Sequence, residues 1–347
     1  MKRSSFFTLA SFLILIGLAA LTLRPSEPSP PVSQFTGLTM GTTFTVTLAG
    51  DIDATTLDAI KQEAFAVLED INQKMSTYLP SSEVSRFSDE QTTEWMPVST
   101  ATAEVVDLAL RIGAETAGAF DITVGPLVDL WGFGPVSRPD LVPAPSDIDR
   151  LLAITGYEKV ECRLAPPMLR KVDPRLRIDL SAIAKGYAAD RVAARLLSRG
   201  LHDFIVEVGG EVVVRGAKGP QTPWRIGIES PLSDRREIGD VLSLRDMAMA
   251  TSGDYRNYFE DNGRRYSHTI DPRTGYPIDH ALAAVTILDP SCARADALAT
   301  AFMVLGPDQA FSLAEKANIA ALLIVKTPSG FVEKRSKAFQ AKAPQSL

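Results

Sequence analysis

Apolar residues recur along this chain with two periods. In "TTFTVTL" they alternate at Phe44, Val46 and Leu48, as in a strand with one buried face. From Leu57 to Met75 they fall at Leu57, Ile60, Ala64, Val67, Leu68, Ile71 and Met75, which predicts an amphipathic helix. Residues 100 to 117 repeat that helical spacing. "SAIAKGYAADRVAARLLSRG" reads as a third helix, stopped by Gly200. "FIVEVGGEVVVRG" places two β-rich runs around Gly209-Gly210, a hairpin signal. "WRIGIES", "RYSHTID" and "ALAAVTILD" read as further strands. The apolar run "ARADALATAF" then predicts a core helix, broken at Gly306-Pro307. A helix near 308 to 317 and the strand "ALLIV" follow. Strands arrive in hairpins and helices fall between blocks. That order predicts an α+β fold of mixed, largely antiparallel sheets with packed helices, not a regular βαβ array.

The N-terminus breaks both periods. Lys2 and Arg3 precede Phe6 to Leu23, a run without charge. As a helix it spans about 27 Å at roughly 1.5 Å per residue, close to a bilayer core of roughly 30 Å. Residues 1–23 therefore read as a signal peptide or membrane anchor, with the basic flank in the cytoplasm and the rest of the chain outside it. Leu18-Ala19-Ala20 resembles the start of a lipoprotein cleavage box, but Leu21 stands where the lipidated Cys is needed, so no lipid is expected. Residues 24–33, "RPSEPSPPVS", read as a Pro/Ser linker, and 34–340 as one domain.

Composition adds exclusions. The chain has 347 residues, 45% of them hydrophobic, and a net charge of −6, so no nucleic-acid footprint is expected. An anionic ligand would have to be held locally, by a metal or by backbone N–H groups. Cys162 and Cys292 are the two cysteines, and sequence leaves their pairing open. His202, His268 and His280 are far apart, without zinc spacing. The phosphate loop, the dinucleotide glycine fingerprint and the G-x-S-x-G elbow are all missing.

Polar groups gather in apolar surroundings at four places. Asp121 follows Phe120 in "AFDITVGPLVDLWGFG", as a turn residue or as a site wall. In "RIDLSAIAKGYAAD", Asp179 or Ser181 can cap a helix. The same helix N-terminus can receive phosphate oxygens, with Lys185 one turn further in. His268 lies in the predicted strand of "YSHTIDPRTGYPID", before a turn at residues 271–275. A backbone carbonyl can satisfy it, or it can serve a site. Asp296 and Thr300 are four apart on the core helix. They suit a first-turn carboxylate facing the helix dipole and a hydroxyl bonded back to the Asp296 carbonyl. That local reading is the first one for the pair taken alone; oxygen-only ligation of Mg²⁺ or Ca²⁺ is the second.

Together these segments resemble one family, the ApbE flavin transferases. The resemblance is carried in order by "MGT", "MSTYLPSSEVSRF", "FDITVGPL", "DLSAIAKGYAAD", "VEVGGEV", "ATSGDY", "HTIDPRTGYP" and "ADALATAFMVLG", from Met40 to about Val325. It implies an α+β fold with a core related to the T-fold. It also implies an exported enzyme that binds FAD and Mg²⁺, moves FMN onto a Thr or Ser hydroxyl of another protein and releases AMP. The acceptors implied are subunits of membrane redox complexes. Met40, Tyr78, Ala119, Phe120, Asp121, Asp179, Lys185 and Ile270 would line the FAD site. The Ala182 carbonyl, Asp296 and Thr300 would hold the metal.

A divalent ion would bridge the pyrophosphate oxygens, which an acidic protein otherwise repels. Tyr78 and Phe120 offer flat surfaces for isoalloxazine or adenine. His268 is the expected base for the acceptor hydroxyl, with Asp296 as the alternative. Localisation at the periplasmic face of the inner membrane follows from the N-terminal segment. Two other functions share these residues: a Mg²⁺-dependent FAD pyrophosphatase giving FMN and AMP, and a non-catalytic exported FAD-binding protein.

Overall fold

The alternation at Phe44, Val46 and Leu48 becomes the second strand of an eight-stranded sheet. The structure is a computed structural model, and it describes residues 31–134, 141–219, 222–229, 238–254 and 258–343. The chain opens with β1 (Val32–Thr39), β2 (Thr42–Ala49), α1 (Ala54–Met75), α2 (Glu83–Asp89), β3 (Met96–Pro97) and α3 (Thr100–Glu115). Next come α4 (Gly125–Leu130), α5 (Pro145–Leu152), β4 (Val160–Leu164), β5 (Pro167–Lys171) and α6 (Ser181–Ser198). The strands β6 (Phe204–Val208), β7 (Glu211–Arg215), β8 (Trp224–Glu229), β9 (Ile238–Leu244) and β10 (Met247–Gly253) follow. The last third contains β11 (Tyr258–Asp261), β12 (Arg264–Ser267), β13 (Ile270–Asp271), β14 (Tyr276–Pro277), β15 (Leu282–Asp289), α7 (Cys292–Lys316), β16 (Ala320–Thr327), β17 (Gly330–Arg335) and α8 (Lys337–Lys342).

The large sheet runs β1-β2-β6-β7-β10-β15-β16-β17, and every pairing in it is antiparallel. Period-two alternation gives it two buried faces. Val213, Ala248, Ala250, Val285, Ile287, Ala321 and Leu323 point to the main core with residues of α1, α3, α6 and α7. Val212, Val214, Met249, Leu288, Ala320 and Leu322 point the other way, under the β8–β9 hairpin and α8. Burial on both faces explains why β15 reads as a continuous apolar run. Each fully buried Leu, Ile or Phe in these layers contributes roughly 1.5–3 kcal/mol.

Helix ends are set by local chemistry. Asp53 caps α1 by accepting the Thr56 N–H, and Ser99 caps α3 through Thr102. Gly200, at φ +78°, closes α6. Inside α7, Gly306 at φ +75° makes the break expected at Gly306-Pro307. By length and composition α7 could cross a membrane, yet 56% of its apolar window is buried inside the fold, so it is a core helix.

Three expectations need correction. Val32 and Ser33 belong to β1, not to the linker: the Ser33 hydroxyl donates to the Gly50 carbonyl and accepts the Ile52 N–H, so sheet pairing overrides local composition. "RYSHTID" is not one strand. The chain breaks at His268 and Thr269, because the segment after β12 turns away to pair β13 with β14. The helix predicted to 117 ends at Glu115, since Ala117 and Gly118 take positive φ. Cys162 and Cys292 are both free thiols. Residues 1–23, and the linker up to residue 30, lie outside the described residues.

Candidate active site

Helices α6 and α7 approach each other unusually closely. A Cβ added at Gly186 would stand 2.3 Å from the Cys292 carbonyl oxygen and 2.9 Å from Ala293 Cα, so only glycine allows the crossing. Asp190, one turn further along α6, locks it. Its carboxylate accepts the N–H groups of Cys292 and Ala293 and the Ser291 hydroxyl, at 2.9, 3.0 and 3.0 Å. The start of α7 is thereby held by a side chain of its neighbour.

That crossing sets Asp296 against the first turns of α6. Asp296 is 3% exposed. Its Oδ2 accepts the Gly186 N–H at 3.0 Å. In a regular helix that N–H would serve the Ala182 carbonyl, four residues back. Asp296 lies beyond the first turn of α7, so it is not a dipole-facing cap. The Thr300 hydroxyl meets Ser252 Oγ of β10 at 3.3 Å. The two local explanations for this pair give way to a tertiary one.

Lys185 Nζ lies between two carboxylates, 3.6 Å from Asp296 Oδ2 and 3.4 Å from Glu211 Oε1. Burial works against the ammonium, but the charges of Asp296 and Glu211 outweigh it and hold Lys185 above its ordinary value. Burial likewise pushes the Glu211 carboxyl up to about 8, with Lys185 pulling it down and Asp296 raising it further. Glu211 opens β7 directly after the Gly209-Gly210 turn.

These groups line one cavity of about 480 Å³. Its walls come from distant segments: Thr77 and Tyr78 after α1, Ala119 to Ile122 after α3, Asp179 to Lys185, Gly209 and Glu211, Thr251 to Gly253, His268 to Ile270, and Asp296 with Thr300. The Asp179 N–H donates to the Ile122 carbonyl at 2.6 Å, tying two walls together. Neither Asp179 nor Ser181 is the N-cap, which is Leu180 without a side-chain cap bond; Asp179 Oδ1 accepts the Ser181 N–H at 2.8 Å and the Ser181 hydroxyl from just before the helix. Asp121 Oδ1 accepts the Thr123 N–H and hydroxyl, and Oδ2 accepts the Tyr157 N–H. Its carboxylate thus shapes the wall, although burial pushes its pKa up. Tyr78 is 70% exposed at the rim, while Phe120 and Ile270 are buried residues of the lining itself.

His268 lines the same cavity, edge-on to Phe133 with ring centroids 6.3 Å apart. Behind it Phe259 stacks on Tyr266 and on Phe133, and Trp131 Nε1 donates to the Gly275 carbonyl at 2.8 Å. His280 instead pairs with the Met303 carbonyl, and His202 is exposed and outside the lining.

One expected residue is not brought to the cavity. Met40, at φ +47°, sits in the β1–β2 turn, outside the lining and packed on the main core. The turn nonetheless adjoins the site, since a Cβ on Gly209 would stand 2.8 Å from Thr42 Cγ2. Sequence reasoning passed over Glu211, Thr77, Ser252 and Phe133. For Glu211 a signal existed: it is an acidic residue opening the otherwise apolar run "EVVV".

The sequence model of the ApbE family matches residues 40–323. A Vibrio cholerae protein named FAD:protein FMN transferase is 44% identical over 338 residues, covering 97% of this chain and 98% of its own. The chain belongs to the ApbE family. It is an enzyme, a transferase that handles flavin. Two solved ApbE structures share its α+β fold. The flavin transferase ApbE of Vibrio cholerae has a TM-score of 0.82 at 43% identity, over 90% of this chain and 99% of that one. The flavinyl transferase ApbE of Pseudomonas stutzeri, in its apo form, has a TM-score of 0.83 at 41% identity, over 93% and 100%. The Vibrio protein has also been solved with a histidine replaced by glycine.

Proposed function

We propose that this chain transfers FMN from FAD to a Thr or Ser hydroxyl of an acceptor protein, requires Mg²⁺ and releases AMP. The observation that carries the reading is the meeting of Tyr78, Asp179, Ala182, Lys185, His268, Asp296 and Thr300 in one cavity. The name FAD:protein FMN transferase, borne by the Vibrio relative, supports the same reaction.

The donor set fits Mg²⁺. Ala182 offers a carbonyl whose helical N–H partner donates to Asp296, and Asp296 and Thr300 add a carboxylate and a hydroxyl. All three are oxygen ligands, which suit a hard cation. Lys185 already places positive charge beside Asp296. When bound, the ion would neutralise pyrophosphate charge. Tyr78 and Phe120 would give the flavin or adenine ring an aromatic surface, and the N-terminus of α6 would favour phosphate oxygens.

The acceptor oxygen attacks the phosphorus of the FMN half, the bond to the AMP phosphate breaks, and AMP leaves with the electron pair. His268 takes the hydroxyl proton. Of the three histidines it is the one in the lining, which supports that role. The Lys2–Arg3 flank and the uncharged Phe6–Leu23 run support placement at the periplasmic face of the inner membrane, with residues 1–23 retained as anchor or cleaved. A redox-complex subunit in that membrane is the acceptor class.

The test incubates the full-length chain with FAD, MgCl₂ and such an acceptor. A gain of one FMN on the acceptor, matched by AMP, is expected. AMP and free FMN appearing at the same rate without acceptor would favour hydrolysis.

A further inference from the structure

Two features of the cavity floor are left over by the transfer reaction. Glu211 is 4% exposed, and its Oε2 is buried without a hydrogen-bond partner among the described residues. An ionised oxygen in that state is costly unless some state of the protein supplies a donor. Lys185 Nζ also stands nearly midway between Glu211 Oε1 and Asp296 Oδ2, at 3.4 and 3.6 Å. Its ammonium sits in the field of the carboxylate assigned above to the metal. A divalent cation at Asp296 would meet that positive charge at close range.

We propose that Glu211 is the holding site for the Lys185 ammonium: Lys185 neutralises Asp296 while no metal is bound, and turns onto Glu211 when a divalent cation takes Asp296. This rests on the reading of Ala182, Asp296 and Thr300 as metal ligands. Glu211 is then a positioning residue, and together with Lys185 it sets the affinity of the site. The two carboxylates come from different elements, α7 and β7, so the lysine side chain is the part free to move. The unpartnered Oε2 is the acceptor that the displaced ammonium gains. With both carboxylates ionised, the two of them and one ammonium leave the floor with one excess negative charge before a cation arrives. Removing either partner of the Lys185–Glu211 pair shifts that balance by one, in opposite directions.

The test follows Mg²⁺ binding without turnover. Melting midpoints of the full-length chain, without FAD, are recorded across a MgCl₂ series at constant ionic strength, and each variant's rise gives its own apparent Kd. Glu211→Gln should weaken Mg²⁺ by about tenfold or more and Lys185→Met should tighten it by a similar factor, as expected for one charge at close range. The double variant restores the wild-type charge and should return to within about threefold of the wild-type Kd. A Glu211 that merely supports the fold predicts no such rescue. Unchanged Mg²⁺ affinity in Glu211→Gln, or in Lys185→Met if the former does not fold, overturns the inference, provided Asp296→Ala abolishes the rise. If Asp296→Ala leaves the rise intact, the metal-site reading itself fails.

Discussion

Asp296 and His268 show how far a residue's surroundings decide its role. Asp296 lies on an apolar helix, where sequence spacing offers it a first-turn place or a pairing with Thr300. What it touches is Gly186 and Lys185, residues more than a hundred positions away. No local pattern could have revealed those contacts; the family resemblance set Asp296 only beside Ala182, one turn before Gly186. His268 differs in kind. Its segment reads as a strand, yet the chain breaks there, and the break points the ring into the cavity beside Phe133. If His268 takes the acceptor proton, His268→Ala should lower kcat by about 10²- to 10⁴-fold, the usual range for a general base. FAD affinity should change little. Single-turnover AMP release at saturating FAD, with a separate FAD titration, separates the two. Loss of FAD binding with an unchanged rate at saturation would instead make His268 a binding group.

The elements were legible in proportion to their length and period. The helices at 54–75, 100–115 and 181–198, the Gly209-Gly210 hairpin and the break at Gly306 follow from spacing and glycine positions. The helices α2, α4 and α5 and the small sheet β3-β5-β4 did not, because each is too short to show a period; α5 begins on a proline and α4 carries one at its second position. What sequence could not supply is the closeness of the α6–α7 crossing, which depends on one glycine. Gly186→Ala forces the helices apart and should cost about 1–3 kcal/mol, the usual cost of overpacking. Metal affinity should fall with it, because Ala182 and Asp296 sit on opposite sides of the contact. Melting temperature and the MgCl₂ series together check this.

A second element contact carries a pH signature. Glu63 on α1 accepts hydrogen bonds from Arg195 of α6 and from Arg199 just past its end. The hydrogen bonds from Arg199 and then Arg195 lower its pKa from 4.5 to about 2. A carboxyl lowered on folding stabilises above its unfolded value and loses that contribution as pH falls through the folded one. Glu63→Gln should therefore melt lower than wild type at pH 7. The gap should narrow between about pH 4.5 and 2 and vanish below it. A gap independent of pH would mean that the pair acts through packing alone.

At the scale of the whole molecule, the sheet is a partition. Its helix-covered face carries the cavity residues of α6, α7 and β10, while the face under β8–β9 and α8 is purely structural. The α+β class and antiparallel pairing followed from the order of elements, but the face that would hold the site did not, because hydrophobic alternation is the same on both sides.

The central claim is that this cavity moves FMN between molecules, with Asp296 as the metal-holding carboxylate. It is tested most directly by the intact mass of an acceptor protein after incubation with FAD, MgCl₂ and either the wild-type chain or Asp296→Ala. The account predicts one added FMN on the acceptor with wild type, none with Asp296→Ala, and none with wild type when the metal is chelated. Labelling by Asp296→Ala at the wild-type rate would contradict it.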